Sequence, residues 1–498
     1  MTSQAPTAGV IGAGIAGLSA AIALRRAGFE VQVYERSQFK NEVGAAISTP
    51  PNATAVLRRW GFDFDAAETV PNLSTRYAAA GDLGTVFESR YEDIETVMGS
   101  PSLSFHRVDL HNGLRALATE DGAMDSGARG EGEDGSRGGR GTPVVIHLGC
   151  EVRGVDCDNG ILMLADGTRV QKDLVIIADG AHSNLLADFL GRAAPIQPTG
   201  RSIYRWLVSM DEVMADPELG EHYRDQPPGF LGWFDAAKRI LWVNYTCRGG
   251  RVLNSAVVHD TEDISSLPGD GSENEPDKKD DEMLWHVPAA KEIVLATLSN
   301  FHPAARRIVS MASEDGIRVH RLFRRPPLES FVRGKTAIMG DTAHVMMPTH
   351  AAGSAIAIES ASVLEALFTD LEGNIDAAVN GNGGGVDTEK KSAVGEQHEV
   401  GRGRDCLIRE RLRLFDKLRI PRCNLTMLVS NAGPEGLRVP GLEQEIRKFY
   451  HGPLPPKNAL PWSDEFREVL FHHDAFREAQ QAMRAEEARG QGGINGET

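Results

Sequence analysis

Three features of the sequence predict a two-domain α/β fold with a parallel sheet flanked by helices, a second, mostly antiparallel sheet, and C-terminal helices. The first is a strand–turn–helix–strand unit that ends at Glu35-Arg36. The second is a pair of buried strands running into Asp179-Gly180 and Gly340-Asp341. The third is a set of alternating segments between residues 200 and 260, with a helical region after Arg404.

Gly9–Ile11 begin a short buried strand, Gly12–Gly17 form a turn, and Leu18–Ala27 carry helical periodicity closed by Gly28 as a C-cap. Phe29–Tyr34 alternate as the second strand. Val144–Leu148, Glu151–Cys157 and Ile161–Ala165 read as a short antiparallel meander with an Asp166-Gly167 turn. Asp173–Ala178 is a buried strand, Arg239–Cys247 and Arg251–Val258 form a hairpin around Gly249-Gly250, and Ala337–Met339 is the last core strand. The final stretch, Ala475–Arg489, reads as a polar, frayed helix.

The chain has 498 residues, 41% of them apolar and 25% charged, which fits a globular protein with a large core. A net charge of −17 argues against nucleic acid as a partner, since phosphate binding needs clustered Lys and Arg. The five cysteines show no C-x-x-C spacing, so neither a disulfide framework nor a zinc site is expected, and a reducing, cytoplasmic compartment fits. The apolar run Val10–Ala27 is broken by patterned glycines and by Arg25-Arg26, so no membrane span is expected. Residues 121–142, 262–282 and 370–403 are rich in Gly or charge. Each reads as a surface insert that cannot bury enough apolar area to offset its ordering entropy.

The turn Gly12-Ala13-Gly14-Ile15-Ala16-Gly17 carries a dinucleotide-binding, Rossmann-like pattern. Gly12 serves a tight turn, Gly14 close approach to a pyrophosphate, and Gly17 tight helix–strand packing, while the helix N-terminus offers free N–H groups to phosphate. Glu35, at the end of the second strand, suits ribose hydroxyls, and Arg36 follows it. The motif alone does not separate FAD from NAD. A second motif is Ile176-Ile177-Ala178-Asp179-Gly180-Ala181-His182-Ser183, and a third is Ala337-Ile338-Met339-Gly340-Asp341-Thr342-Ala343-His344 with Ala351-Ala352-Gly353-Ser354. Asp341 at a strand's carboxyl end can bond a ribityl hydroxyl, and the Gly353–Ser354 amides at a helix N-terminus can face an electron-rich ring edge.

In this order and spacing the motifs resemble the FAD-dependent hydroxylases of the salicylate hydroxylase and p-hydroxybenzoate hydroxylase type. Pro51–Gly61, Arg107 within Phe105-His106-Arg107-Val108-Asp109-Leu110, Tyr245 through Asn254, and Phe415–Pro421 extend the likeness. The resemblance implies FAD with adenosine near Glu35, pyrophosphate at Gly12–Gly17 and flavin near Asp341, with Arg107 as an FAD-contacting arginine. It implies a discontinuous FAD domain over 8–75, 100–200 and 310–369. The substrate domain would cover 76–99 and 201–309, and a C-terminal helical region 404–490. NAD(P)H would be the co-substrate, O2 would add to the reduced flavin as a C4a-hydroperoxide, and a phenolic acid or aromatic polyketide would be hydroxylated. Decarboxylation or dearomatisation can accompany such a step. Arg205 and Tyr245 match a pair that promotes phenol ionisation in fungal relatives, and a cation beside a phenol lowers its pKa. An isoprenoid epoxidase and a flavin-binding protein without turnover are the competing readings.

The sequence departs from the family at three places. Leu186 stands where many relatives have Arg, Ala351–Ala355 replaces a Gly-Gln-Gly-x-Asn pattern, and Ala46 replaces a glycine at which backbone contacts to flavin are expected. His344 and His350 flank a proline loop and read as loop residues, not metal ligands, and no G-x-S-x-G elbow occurs.

Overall fold

The structure is a computed structural model and describes residues 5–39, 45–121, 141–224, 226–261, 287–369, 371 and 393–492. The segments 121–142, 262–282 and 370–403 lie largely outside these residues. From Ala393, however, the last of them is helical, at the start of a long helix that runs to Asn431.

A six-stranded sheet has the order Val332–Arg333, Thr336–Ile338, Leu174–Ile177, Thr7–Ile11, Glu30–Glu35, Val145–Leu148. All its pairings are parallel except the hairpin Val332–Ile338. The opening strand lies at its centre, with Ile11 level with Ile177 on one side and Tyr34 on the other. The first helix, Ile15–Arg26, packs on this sheet through Leu18, Ile22 and Ala23. Val145–Leu148 belongs here and not to the meander, whose third strand is Arg169–Gln171. Local alternation could not reveal a parallel partner more than a hundred residues away, and the exposure of Val145 and Leu148 marks an edge.

The second sheet has eight strands, ordered Val287–Pro288, Arg318–Arg324, Gln197–Ser209, Val252–Asp260, Ile240–Cys247, Gly229–Asp235, Ser74–Ala79, Thr85–Arg90. Only the pairing of Gly229–Phe234 with Ser74–Ala79 is parallel. Arg318–Arg324 differs from the expected boundary at 310, because its backbone pairs with Gln197–Arg205. The two faces of this sheet differ. Trp206, Trp233, Trp242, Leu253 and Val257 point outward and are buried under the helices Lys291–Thr297 and Pro303–Met311. The alternate residues, among them Tyr77, Val243, Tyr245, Ala256 and Arg205, remain partly open.

The C-terminal helices close the molecule. Ala475–Gly492 is not frayed at its start, since Ala475, Ala479 and Met483, spaced four apart, are buried in the core of the first sheet. Among the described residues no helix is long and apolar enough to cross a membrane, and no cluster of His, Cys, Asp or Glu could hold a metal ion.

Candidate active site

The carboxyl end of the parallel sheet brings the three motifs together. Gly12 has φ +94°, and a Cβ there would sit 2.5 Å from the Ala178 carbonyl oxygen. A Cβ on Gly17 would come within 1.9 Å of the Gly12 carbonyl oxygen, so helix and turn touch only because residue 17 is glycine. Gly14 is different: a Cβ there meets nothing within 4 Å. It precedes a helix whose N-terminus has no side-chain cap. The result is an open pocket over uncapped N–H groups, which suits phosphate. Glu35 accepts from Ala13 N at 2.7 Å and from Ser37 N at 2.7 Å, so its carboxylate is fixed beside the turn with lone pairs to spare.

The second and third motifs lock through Thr342. Its hydroxyl donates to Asp179 Oδ1 at 3.1 Å and accepts from Gly180 N at 2.9 Å. Burial raises the Asp179 pKa, with Ser183 and Thr342 bonds and the field of Arg36 pulling it back. Asp341 is open to solvent, yet protein crowds it closely enough to raise its carboxyl pKa against the pull of Arg107 and Arg325. Open and crowded together define the wall of a cleft. Gly353 begins the helix Gly353–Phe368, which also lacks a side-chain cap and faces open space at its first residue, with Ser354 half-buried beside it. Ala351, just before it, holds φ +51°, a left-handed conformation that glycine adopts more cheaply. Two uncapped helix ends, a side-chain-free cradle at Gly14 and an acid in a cleft between arginines are what a bound FAD requires.

The inner face of the eight-stranded sheet reaches this cleft at Ala46. Arg205 Nη2 donates to the Ala46 carbonyl at 2.7 Å, Tyr245 Oη donates to the same oxygen at 2.9 Å, and Ala46 N donates to Asn254 Oδ1 at 3.1 Å. Ala46 is therefore gripped on both backbone groups, which engages its N–H and its carbonyl within the protein. Burial pushes the Tyr245 phenol up to about 12 despite Arg205, so it stays a donor. Arg205 Nε and Asn254 Nδ2 are buried with no partner among the described residues. Sequence reasoning missed Thr342, Arg325 and Asn254 as site residues. Thr342 and Asn254 stood inside quoted motifs, whereas nothing local marks Arg325.

This architecture is a Rossmann-type dinucleotide-binding fold set against an antiparallel sheet. Residues 10–65 match the NAD(P)-binding Rossmann-like domain family. The chain is 30% identical to hispidin-3-hydroxylase of Neonothopanus nambi over 369 residues, 72% of this chain and 79% of that protein. It is 27% identical over 433 residues to the FAD-dependent monooxygenase cfoG of Aspergillus candidus, covering 86% and 85% of the two chains. With 6-hydroxynicotinate 3-monooxygenase of Pseudomonas fluorescens it shares 28% identity over 365 residues, 73% of this chain and 82% of that one. A salicylate hydroxylase substrate complex has the same fold, with TM-score 0.64, 20% identity and coverage of 96% and 98%. The chain belongs to the FAD-dependent monooxygenases. It is an enzyme whose cofactor is FAD and whose co-substrate is NAD(P)H.

Proposed function

We propose that this enzyme hydroxylates a phenolic aromatic substrate, a phenolic acid or an aromatic polyketide, bound on the inner face of the eight-stranded sheet. The observation that carries this is the pair of buried donors left unpaired beside Ala46, Arg205 Nε and Asn254 Nδ2. Leaving such a donor unsatisfied costs about 1–3 kcal/mol, so an acceptor from outside the chain is the natural partner. Names of relatives agree, since hispidin, 6-hydroxynicotinate and salicylate are aromatic compounds with a ring hydroxyl.

The glycine turn and Glu35 would hold the adenosine diphosphate half of FAD, with Arg36 and Asp179 lining the same strand ends. Arg107, Asp341 and the Gly353–Ser354 helix end would hold the flavin half. Bound FAD, once reduced by NAD(P)H, supplies an activated oxygen atom. Arg205 places a cation beside the phenol and favours its ionised form, the better nucleophile. Tyr245, held protonated, gives its one proton to the Ala46 carbonyl, and its oxygen can accept from the substrate hydroxyl and orient it. The closed wall around Ala46 keeps water out.

Arg205→Ala should lower kcat/KM across a phenol panel by a factor of about a hundred or more, read as substrate-stimulated NAD(P)H consumption, with flavin content retained. Arg205→Lys should recover part of the loss. In Arg205→Ala the rate should also climb with pH toward the free phenol's own pKa, because the cation no longer assists ionisation. Product mass should rise by one oxygen, and additional loss of carbon dioxide would mark the decarboxylating course. Full activity in Arg205→Ala would exclude the phenolate role.

A further inference from the structure

The inner face of the eight-stranded sheet carries a register row with an unusual composition. Tyr77 lies level with Gly232, Gly232 with Val243, Val243 with Ala256, and Ala256 with Arg205. Thus a tyrosine and an arginine flank three strands that offer glycine, valine and alanine, and the row continues to Phe87 beyond Tyr77 and to Arg318 beyond Arg205. Side chains on successive strands of one row share a face. The floor between Tyr77 and Arg205 is therefore low and apolar. The neighbouring rows rise higher: Phe230 and Tyr245 on one side, with ring centroids 5.2 Å apart, and Phe234 paired with Leu241 on the other.

Tyr77 is built into this trough. A Cβ on Gly232 would fall 2.4 Å from Tyr77 Cδ1 and 2.5 Å from its Cε1, so the ring lies across the neighbouring strand, and only glycine admits it there. The side chain is half-buried but closely walled by protein, and burial raises its phenol pKa strongly. It stays neutral, with one proton to donate. Its hydroxyl makes no hydrogen bond to a described residue, although those of Tyr91 and Tyr245 do. Four strand spacings of about 4.8 Å separate the Tyr77 and Arg205 backbones, on the order of 19 Å. A single ring held at Arg205 would not reach the far end.

We propose that Tyr77 is a specificity-determining residue that binds the far polar end of an extended, flat, conjugated phenol, whose reacting ring lies at Arg205 and Tyr245 and whose body covers Gly232, Val243 and Ala256. The proposal rests on the reading of this face as the phenol side, given above.

The test is calorimetric titration of the FAD-loaded enzyme with two probes: a stilbene carrying a para-hydroxyl at each end, and its analogue with one hydroxyl. The wild-type protein should prefer the two-hydroxyl stilbene by about tenfold, the value of one hydrogen bond in a desolvated site. In Tyr77→Phe, which keeps the ring, the ratio of the two affinities should fall to about one. Gly232→Ala, which drives the ring off the trough, should give the same collapse. Persistence of the preference in Tyr77→Phe would overturn the proposal, as would equal binding of both probes by the wild type. The two readings fail separately. Preferential binding that Tyr77→Phe abolishes, without NAD(P)H consumption on any phenol, would leave the trough and remove the phenol hydroxylase. Turnover of p-cresol without any stilbene preference would do the reverse.

Discussion

At the scale of single residues, the glycine turn separates two demands that its pattern fuses. Gly17 is required by the protein itself, since its Cβ would sit 1.9 Å from the Gly12 carbonyl oxygen. Gly14 is not, because the space beside it is open. Gly17→Ala should therefore destabilise the apo protein by about 3 kcal/mol or more, seen as a fall in Tm. Gly14→Ala should leave the apo Tm nearly unchanged but lower the flavin content of purified enzyme several-fold. Equal effects on apo stability would contradict this division. Most of the residues proposed to hold the cofactor stand inside short motifs whose spacing expresses its own mechanics, which is why the sequence suggests them. Ala46 was readable only in part. Its position was evident, but the grip of Arg205, Tyr245 and Asn254 on its two backbone groups joins residues about 160 to 208 positions apart. Tyr77 was invisible for the same reason, since its meaning depends on Gly232 across a parallel pairing.

At the scale of elements, the short turn Pro348–His350 shows how burial replaces hydrogen bonding. His350 is 1% exposed, both its ring nitrogens lack a partner among the described residues, and its ring stacks on Phe466 at 5.4 Å and Trp462 at 6.0 Å. Burial pushes its pKa down to about 3. Below the unfolded value near 6.5 the unfolded chain takes up a proton that the native state refuses, so stability is complete above that pH and falls as pH drops toward 3. Between pH 6.5 and 5 this single group should cost about 1–2 kcal/mol. His350→Phe, which keeps the stacking, should show a shallower fall of Tm over that window, and an unchanged slope would refute the assignment. The sequence marks this turn only as a proline loop, and its aromatic partners come from a C-terminal segment that no local pattern ties to it. A neighbouring helix poses a related problem in charge. Glu359, fully buried on Gly353–Phe368, meets Arg419 at 2.7 Å, Arg422 at 3.1 Å and Asn52 Nδ2 at 2.7 Å. Burial alone would raise its pKa, but Arg422 and Arg419 hold it well below the usual carboxylate range. The apolar helix was legible from its composition, whereas the ion cluster that docks the C-terminal helix onto it was not, because two of its members lie about 60 positions further on.

At the scale of the whole molecule, the proposed hydroxylation depends on how firmly the eight-stranded sheet is set against the elements proposed to hold FAD. One contact is the Ala46 grip. Another is Arg248, in the turn after Ile240–Cys247, whose guanidinium clasps Asp109 through Nε at 2.8 Å and Nη2 at 3.0 Å. Asp109 lies in the first turn of the helix Arg107–Thr119, two residues after the arginine whose charge reaches Asp341. Arg251 adds a bond to Glu68 at 2.6 Å beside it. These pairs are partly exposed, so each is worth little to stability, about 1 kcal/mol or less. Their value is geometric, since a bidentate arginine fixes direction as well as distance. A one-ångström misplacement of a reacting group can cost about a hundredfold in rate. Asp109→Ala should therefore change Tm by only a few degrees, while the share of NAD(P)H oxidised without product, measured as hydrogen peroxide, rises several-fold and worsens with added salt no further. In the wild type, salt should screen the pair and move the peroxide yield in the same direction. A large Tm loss with coupling intact would mean that the clasp serves folding and not alignment.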